Sequence, residues 1–251
     1  MLNNRWSYAL LVGALVLAFV ALTGCSDNEV ATARAFAGSY VGTINTDDDD
    51  DSPNFTANVD ENGITTVIIY AESDAMSATG TVDSTGALHV SFPITSRTVI
   101  ARKTRVSNST INFDGQADGN TFTGTWSFED EDESGTWEAI RVAPGNPWAG
   151  SYTGSVVGNL NATFTAAIDG DGTATVNVNS ADYGDFTATG TVNTYGTISF
   201  EGTVAIEGVG DVPVTYEGLG HVVNGEIVFT GEWSADTYEM GGDWTTGMPP
   251  V

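Results

Sequence analysis

The chain has 251 residues, 33 of them acidic and 7 basic, for a formal net charge of −26. A surface this negative repels phosphate backbones and excludes nucleic acid as a partner, while it suits cations, cationic partners or a saline medium. The single cysteine leaves no disulfide within the chain, so stability must come from a packed core.

In chain order, the first segment has the layout of an export leader. A short polar start carries Arg5, an apolar stretch runs from Ala9 to Leu22, and small residues follow. The stretch is shorter than the ~20 residues that span a bilayer comfortably. It ends in Leu22-Thr23-Gly24-Cys25, which resembles the lipobox of bacterial lipoproteins. The resemblance implies a signal peptide over 1–24, a diacylglyceryl group on the Cys25 thiol, cleavage before that residue, and acylation of the new amino terminus, as by palmitate. Residues 25–35 then form a lipidated tether, and the membrane becomes a partner through the N-terminal lipid. Ser26 after the cysteine resembles the pattern passed to the outer membrane in Gram-negative bacteria, with Asp27 one residue later. The expected location is the cell envelope, lipid-anchored and extracytoplasmic.

Beyond the tether the chain repeats itself. Phe36-Ala-Gly-Ser-Tyr-Val-Gly42 returns as Trp148-Ala-Gly-Ser-Tyr-Thr-Gly154, and Phe55-Thr-Ala-Asn-Val-Asp60 as Phe164-Thr-Ala-Ala-Ile-Asp169. Ala78-Thr-Gly-Thr-Val-Asp83 matches Ala188-Thr-Gly-Thr-Val-Asn193; Phe122-Thr-Gly-Thr-Trp126 matches Phe229-Thr-Gly-Glu-Trp233; Trp137 matches Trp244. Four blocks in one order define an internal duplication, repeat 1 over 36–142 and repeat 2 over 148–251. Ala143-Pro-Gly-Asn-Pro147 between them reads as a short, stiff linker.

Within each repeat, threonine, valine and aromatic residues alternate with small or polar ones, and glycine with Asp or Asn punctuates at spacings of roughly ten. Asp60-Glu-Asn-Gly63, Asp83-Ser-Thr-Gly86, Asp169-Gly-Asp-Gly172 and Asn193-Thr-Tyr-Gly196 read as hairpin turns. The expected strands of repeat 1 cover 38–45, 53–60, 64–71, 76–83, 86–92, 109–116, 119–128 and 134–142. Phe122, Gly124, Trp126 and Phe128 share one face of the seventh, the glycine admitting a close ring contact. The predicted class is all-β: two tandem antiparallel meander barrels of about eight strands each. A sandwich would use the same strands, so the pairing of first and last strand decides between them.

Gly38-Ser39-Tyr40 on the first strand, Gly135-Thr136-Trp137 on the last, and Arg141 just after it resemble the small calycin barrels, the lipocalin and avidin group. In lipocalins a Gly-x-Trp on the first strand packs under an arginine from the last. Tyrosine takes the tryptophan's place here, and repeat 2 has no arginine after Trp244. The resemblance implies a closed barrel.

Barrel topology brings three connections to one mouth. The first carries Asp47, Asp48, Asp49, Asp50 and Asp51; the seventh carries Glu129, Asp130, Glu131, Asp132 and Glu133. The fifth carries Arg97, Arg102, Lys103 and Arg105. Three readings stand: a solvated rim, a Ca²⁺ site built from clustered carboxylates, or a docking surface for a charged partner. Repeat 2 lacks both the first acid run and the basic insert. The ring set Tyr40, Phe55, Tyr70, Phe92, Phe113, Phe122, Trp126 and Trp137, with Tyr152, Phe164, Phe229, Trp233 and Trp244 in repeat 2, reads as barrel interior, as filled core or as lining of a ligand cavity.

His89 and His221 are the only histidines, and no nucleophile motif accompanies them. The expected protein is therefore not an enzyme. It is a non-enzymatic envelope module for a small apolar or amphiphilic ligand or a surface partner. The alternative is a structural or adhesive module with filled β cores and an acidic, Ca²⁺-rigidified face.

Overall fold

A computed structural model of the chain describes residues 34–46, 52–71, 74–94, 98–100, 103–105, 109–129 and 133–247. Cys25 and the leader lie outside them, as do Asp47–Asp51 and Asp130–Asp132. After a 3-10 turn at Arg34–Phe36, the first repeat forms β1 (Gly38–Asn45), β2 (Asn54–Val59), β3 (Ile64–Ala71), β4 (Asp74–Val82), β5 (Ala87–Ile94), β6 (Thr98–Ile100), β7 (Lys103–Arg105), β8 (Ser109–Asp118), β9 (Thr121–Phe128) and β10 (Ser134–Val142). The second forms β11 (Gly150–Val156), β12 (Ala162–Ile168), β13 (Thr173–Ser180), β14 (Gly184–Val192), β15 (Thr197–Ile206), β16 (Gly210–Val223), β17 (Glu226–Ala235) and β18 (Met240–Thr246).

Both repeats close into eight-stranded antiparallel barrels, β1 bonding to both β2 and β10, and β11 to both β12 and β18. First-to-last pairing makes them barrels and not sandwiches. The β6–β7 ribbon stands apart as a separate hairpin in the connection between β5 and β8. The turns follow their sequence. Asp83 takes the amides of Thr85 and Ala87 on one carboxylate oxygen, and Gly86 turns the chain at φ 87°. Those bonds, that of the Thr85 hydroxyl first, hold the Asp83 carboxyl below its usual range.

The duplication extends to ring geometry. Tyr40 meets Phe122 edge-on at 4.9 Å, and Tyr152 meets Phe229 in the same way at 4.9 Å. Phe55 meets Trp137 at 5.7 Å, and Phe164 meets Trp244 at 6.1 Å. The hydroxyl of Tyr40 donates to the Phe36 carbonyl, and that of Tyr152 to the Trp148 carbonyl. Arg141 lies over the Tyr40 ring at 5.9 Å and donates to the Ala37 carbonyl.

The barrels are welded side by side. Val41 and Thr43 point out of barrel 1 yet are fully buried, so β1 is covered on both faces. Thr43 Oγ1 accepts the Val222 amide at 2.8 Å and donates to Asn54 Oδ1 at 2.9 Å. Asn54 Nδ2 donates to the carbonyls of Gly220 and Tyr195 at 2.7 and 2.9 Å. The Glu138 carboxylate takes the amides of Asn224 and Gly225, one on each oxygen. The hairpin that reaches across is longer than its sister: β16–β17 pairing runs seven residues past Tyr216, and β8–β9 pairing five past Phe113. The 143–147 segment folds onto barrel 2, where buried Asn146 bonds the Val192 carbonyl and the Trp148 amide.

Candidate functional site

The interiors come first, because a calycin-like barrel would hold its ligand there. Tyr40, Phe55, Phe122, Trp126, Trp137, Phe164, Phe229, Trp233 and Trp244 are all buried inside the barrels, and Tyr152 is partly buried against Phe229. They fill the space. The void left in barrel 1, bounded by Tyr40, Phe55, Phe113, Phe122 and Trp137, is about 20 Å³, and that in barrel 2 about 10 Å³. Small-molecule pockets run to ~300 Å³ and above, so these rings are core and not cavity lining. Tyr70, expected inside, is on the outer wall: its parity on β3 is opposite to that of Val67 and Ile69, and its ring stacks on Tyr195 at 4.2 Å.

The meander order puts the ends of β1, β5 and β9 at one mouth of barrel 1, while Arg97 and Arg102 of the fifth connection lie outside the described residues. Trp126 on β9 donates its indole N–H to the Asn45 carbonyl at the end of β1, tying those two strands together there. Of the acid runs only Glu129 and Glu133 are described, Glu129 exposed and Glu133 partly buried. Among the described residues no group of three or more His, Cys, Asp or Glu side chains is placed to hold a metal.

One constellation was not foreseen. On the outer wall of barrel 1, His89 Nδ1 lies 2.6 Å from Asp114 Oδ1, and His89 Nε2 lies 3.3 Å from Ser91 Oγ. The order of contacts is that of a hydrolase triad, but the serine proton goes to Asn112 Oδ1 at 2.7 Å. His89 and Asp114 are each 62% exposed and face each other directly across β5 and β8. This is a cross-strand polar cluster on an open wall. In barrel 2, His221 is half-buried, and burial lowers its affinity for a proton.

Two open clefts lie outside barrel 2, and one of them, of about 720 Å³, runs over β16 and β17 past Glu217, His221 and Glu232. The other, of about 670 Å³, runs over β11–β14. Strand register sets two polar rows across it, Ser155–Thr163–Asn179–Asp185 and Thr153–Thr165–Asn177–Thr187. Asn179 Nδ2 donates to Asp185 Oδ1 at 2.6 Å and Thr187 Oγ1 to Asn177 Oδ1 at 3.1 Å. Ser155 is only 8% exposed, and its Oγ finds no partner among the described residues. From sequence these positions read as the solvated half of alternating strands. The available signal was a comparison of repeats, since Val41 corresponds to Thr153 and Tyr70 to Asn179.

No family model matches the chain, and no curated protein matches it. Solved structures give distant likenesses. A candidate outer membrane protein of Bacteroides fragilis is 17% identical at a TM-score of 0.30, covering 86% of this chain and 98% of that one. Transferrin-binding protein B of Haemophilus parasuis is 9% identical at 0.23, covering 84% and 74%. The Myxococcus xanthus hemagglutinin, solved with a mannopentaose, is 12% identical at 0.19, covering 83% and 99%. At these scores the likenesses carry no argument about what the chain does.

Proposed function

We propose that the chain is a lipid-anchored, non-enzymatic envelope module that binds on its outer wall, with both barrels serving as filled scaffolds. The contrast in volume carries this reading: voids of about 20 and 10 Å³ lie inside the barrels, against open clefts of about 670 and 720 Å³ on the outside of barrel 2. Cys25 carries the anchor, the tether holds barrel 1 near the bilayer, and barrel 2 presents its wall outward. A surface partner fits this arrangement; a small apolar ligand inside a barrel does not.

Native mass spectrometry of the chain released from isolated envelopes, with and without a chelator, tests it. The expected species begins at Cys25, carries two or three acyl chains, and has no further ligand. A small molecule retained until denaturation would overturn the filled-scaffold reading, and an uncut, unacylated chain would overturn the anchor. Mass lost only to the chelator would make Asp47–Asp51 and Glu129–Glu133 a Ca²⁺ site.

A further inference from the structure

The wall that carries the cleft has a twin within the same chain. By the alignment of the repeats, Ser155 stands where Thr43 stands in barrel 1, Thr163 where Asn54 stands, and Asn179 where Tyr70 stands. In barrel 1 those positions are occupied. Thr43 Oγ1 takes the Val222 amide, Asn54 bonds two carbonyls of barrel 2, and Tyr70 stacks on Tyr195. Barrel 2 keeps the buried hydroxyl at Ser155 and replaces the packing groups around it. Val41 gives way to Thr153 and Ile140 to Gly247, which together hollow the wall and make it polar. The result is a binding face whose buried hydroxyl has lost its partner.

We propose that this cleft over β11–β14 binds a neutral, hydroxyl-rich ligand, a carbohydrate chain, held by the exposed Thr and Asn rows. The proposal rests on the outer-wall reading above and gives it a ligand class. Other chemistries fit poorly. A metal cation would find one carboxylate, Asp185, already engaged by Asn179. An anion would find no basic side chain in the lining and a net charge of −26 around it. An apolar ligand would have to desolvate hydroxyls and amides. A peptide strand would find no free edge, because β12, β13 and β14 are each paired on both sides.

A sugar ring offers hydroxyls that both donate and accept, and it needs a grid of the same kind. Neighbouring strands give rows ~4.8 Å apart and same-face positions ~6.8 Å along each strand, which spans one hexose. The bonds within the rows leave Asn177 Nδ2 and Asn179 Oδ1 uncommitted on the exposed face, one donor and one acceptor.

The test uses the full chain, purified in mild detergent and labelled, on an array of immobilised neutral glucans, mannans and galactans. Wild type is expected to bind at least one of these families. Thr165→Arg, which places a long side chain in the open cleft, is expected to weaken that binding at least tenfold. Thr79→Arg on the outer wall of barrel 1 serves as the control and should bind as wild type does, with both variants melting where wild type melts. No binding of wild type to any neutral glycan, or equal binding by Thr165→Arg, would overturn the proposal. Capture of a protein lost in the same variant would overturn the carbohydrate class and leave the outer-wall reading standing. A ligand found inside a barrel would remove both.

Discussion

Tyr216 shows at one residue how the second copy departs from the first. It stands inside barrel 2 where Phe113 stands in barrel 1, cross-strand from Trp233 as Phe113 is from Trp126. The added hydroxyl is buried and has no partner, a situation that costs about 1–3 kcal/mol. Tyr216→Phe should therefore raise stability by about 1 kcal/mol in denaturant unfolding of the full chain, and a loss of that size would show that the hydroxyl is held. Burial also pushes the Tyr216 phenol up and lifts that of Tyr152 to about 12. A raised phenol keeps its proton in the fold after the unfolded chain has lost its own near pH 10. The stabilisation is whole below pH 10 and falls as pH rises toward 12, by up to about 1.4 kcal/mol per pH unit for each tyrosine. Unfolding curves from pH 8 to pH 11.5 should show that decline, and it should be shallower in Tyr216→Phe.

Among the strands, the repeated glycines between rings set the barrels' close packing. A Cβ on Gly124 would lie 2.0 Å from the Asp114 carbonyl oxygen and 2.6 Å from the Trp137 ring, and one on Gly231 would lie 2.0 Å from the Glu217 oxygen. Gly124→Ala and Gly231→Ala should each cost about 1–3 kcal/mol through overpacking, read as a lowered melting midpoint. This packing was legible in the sequence, because period-2 alternation put Phe122, Gly124 and Trp126 on one face before any fold was known. The expected strands of repeat 1 fall within two residues of the observed ends, helped by the Asp-x-x-Gly turns Asp60–Gly63 and Asp83–Gly86 that mark two of the reversals. The sequence did not show which outward faces would be covered. Thr43 and Asn54 look like any solvated wall, Tyr70 like one more interior ring, and their partners lie far along the chain, 179 residues away for Val222. On the opposite wall of barrel 2, register aligns Glu217, Glu232 and Asp243 side by side. Like charges directly across strands repel, so Glu232→Thr should stabilise by up to about 1 kcal/mol at low salt, with the gain shrinking as salt rises.

At the scale of the whole molecule, the junction makes two barrels behave as one. Val41 of barrel 1 packs within the core cluster of barrel 2, and Ile140 and Val142 pack against the same cluster. Burial of these side chains couples the two units, and Asn54 makes the coupling specific through one buried amide that joins Thr43 to two carbonyls of the other barrel. Removing it strands polar groups in a dry contact, which costs more than the net worth of the bonds themselves. The chain should therefore unfold in a single calorimetric transition. Asn54→Ala should lower stability by about 3 kcal/mol and split that transition into two, barrel 1 and barrel 2 melting apart. Asn54→Asp keeps the acceptor for Thr43 but turns a donor into a carboxylate facing two carbonyls, so it should split the transition at least as widely. Two separate transitions in the wild-type chain would show instead that the junction is a contact without coupling, and that each barrel stands on its own core.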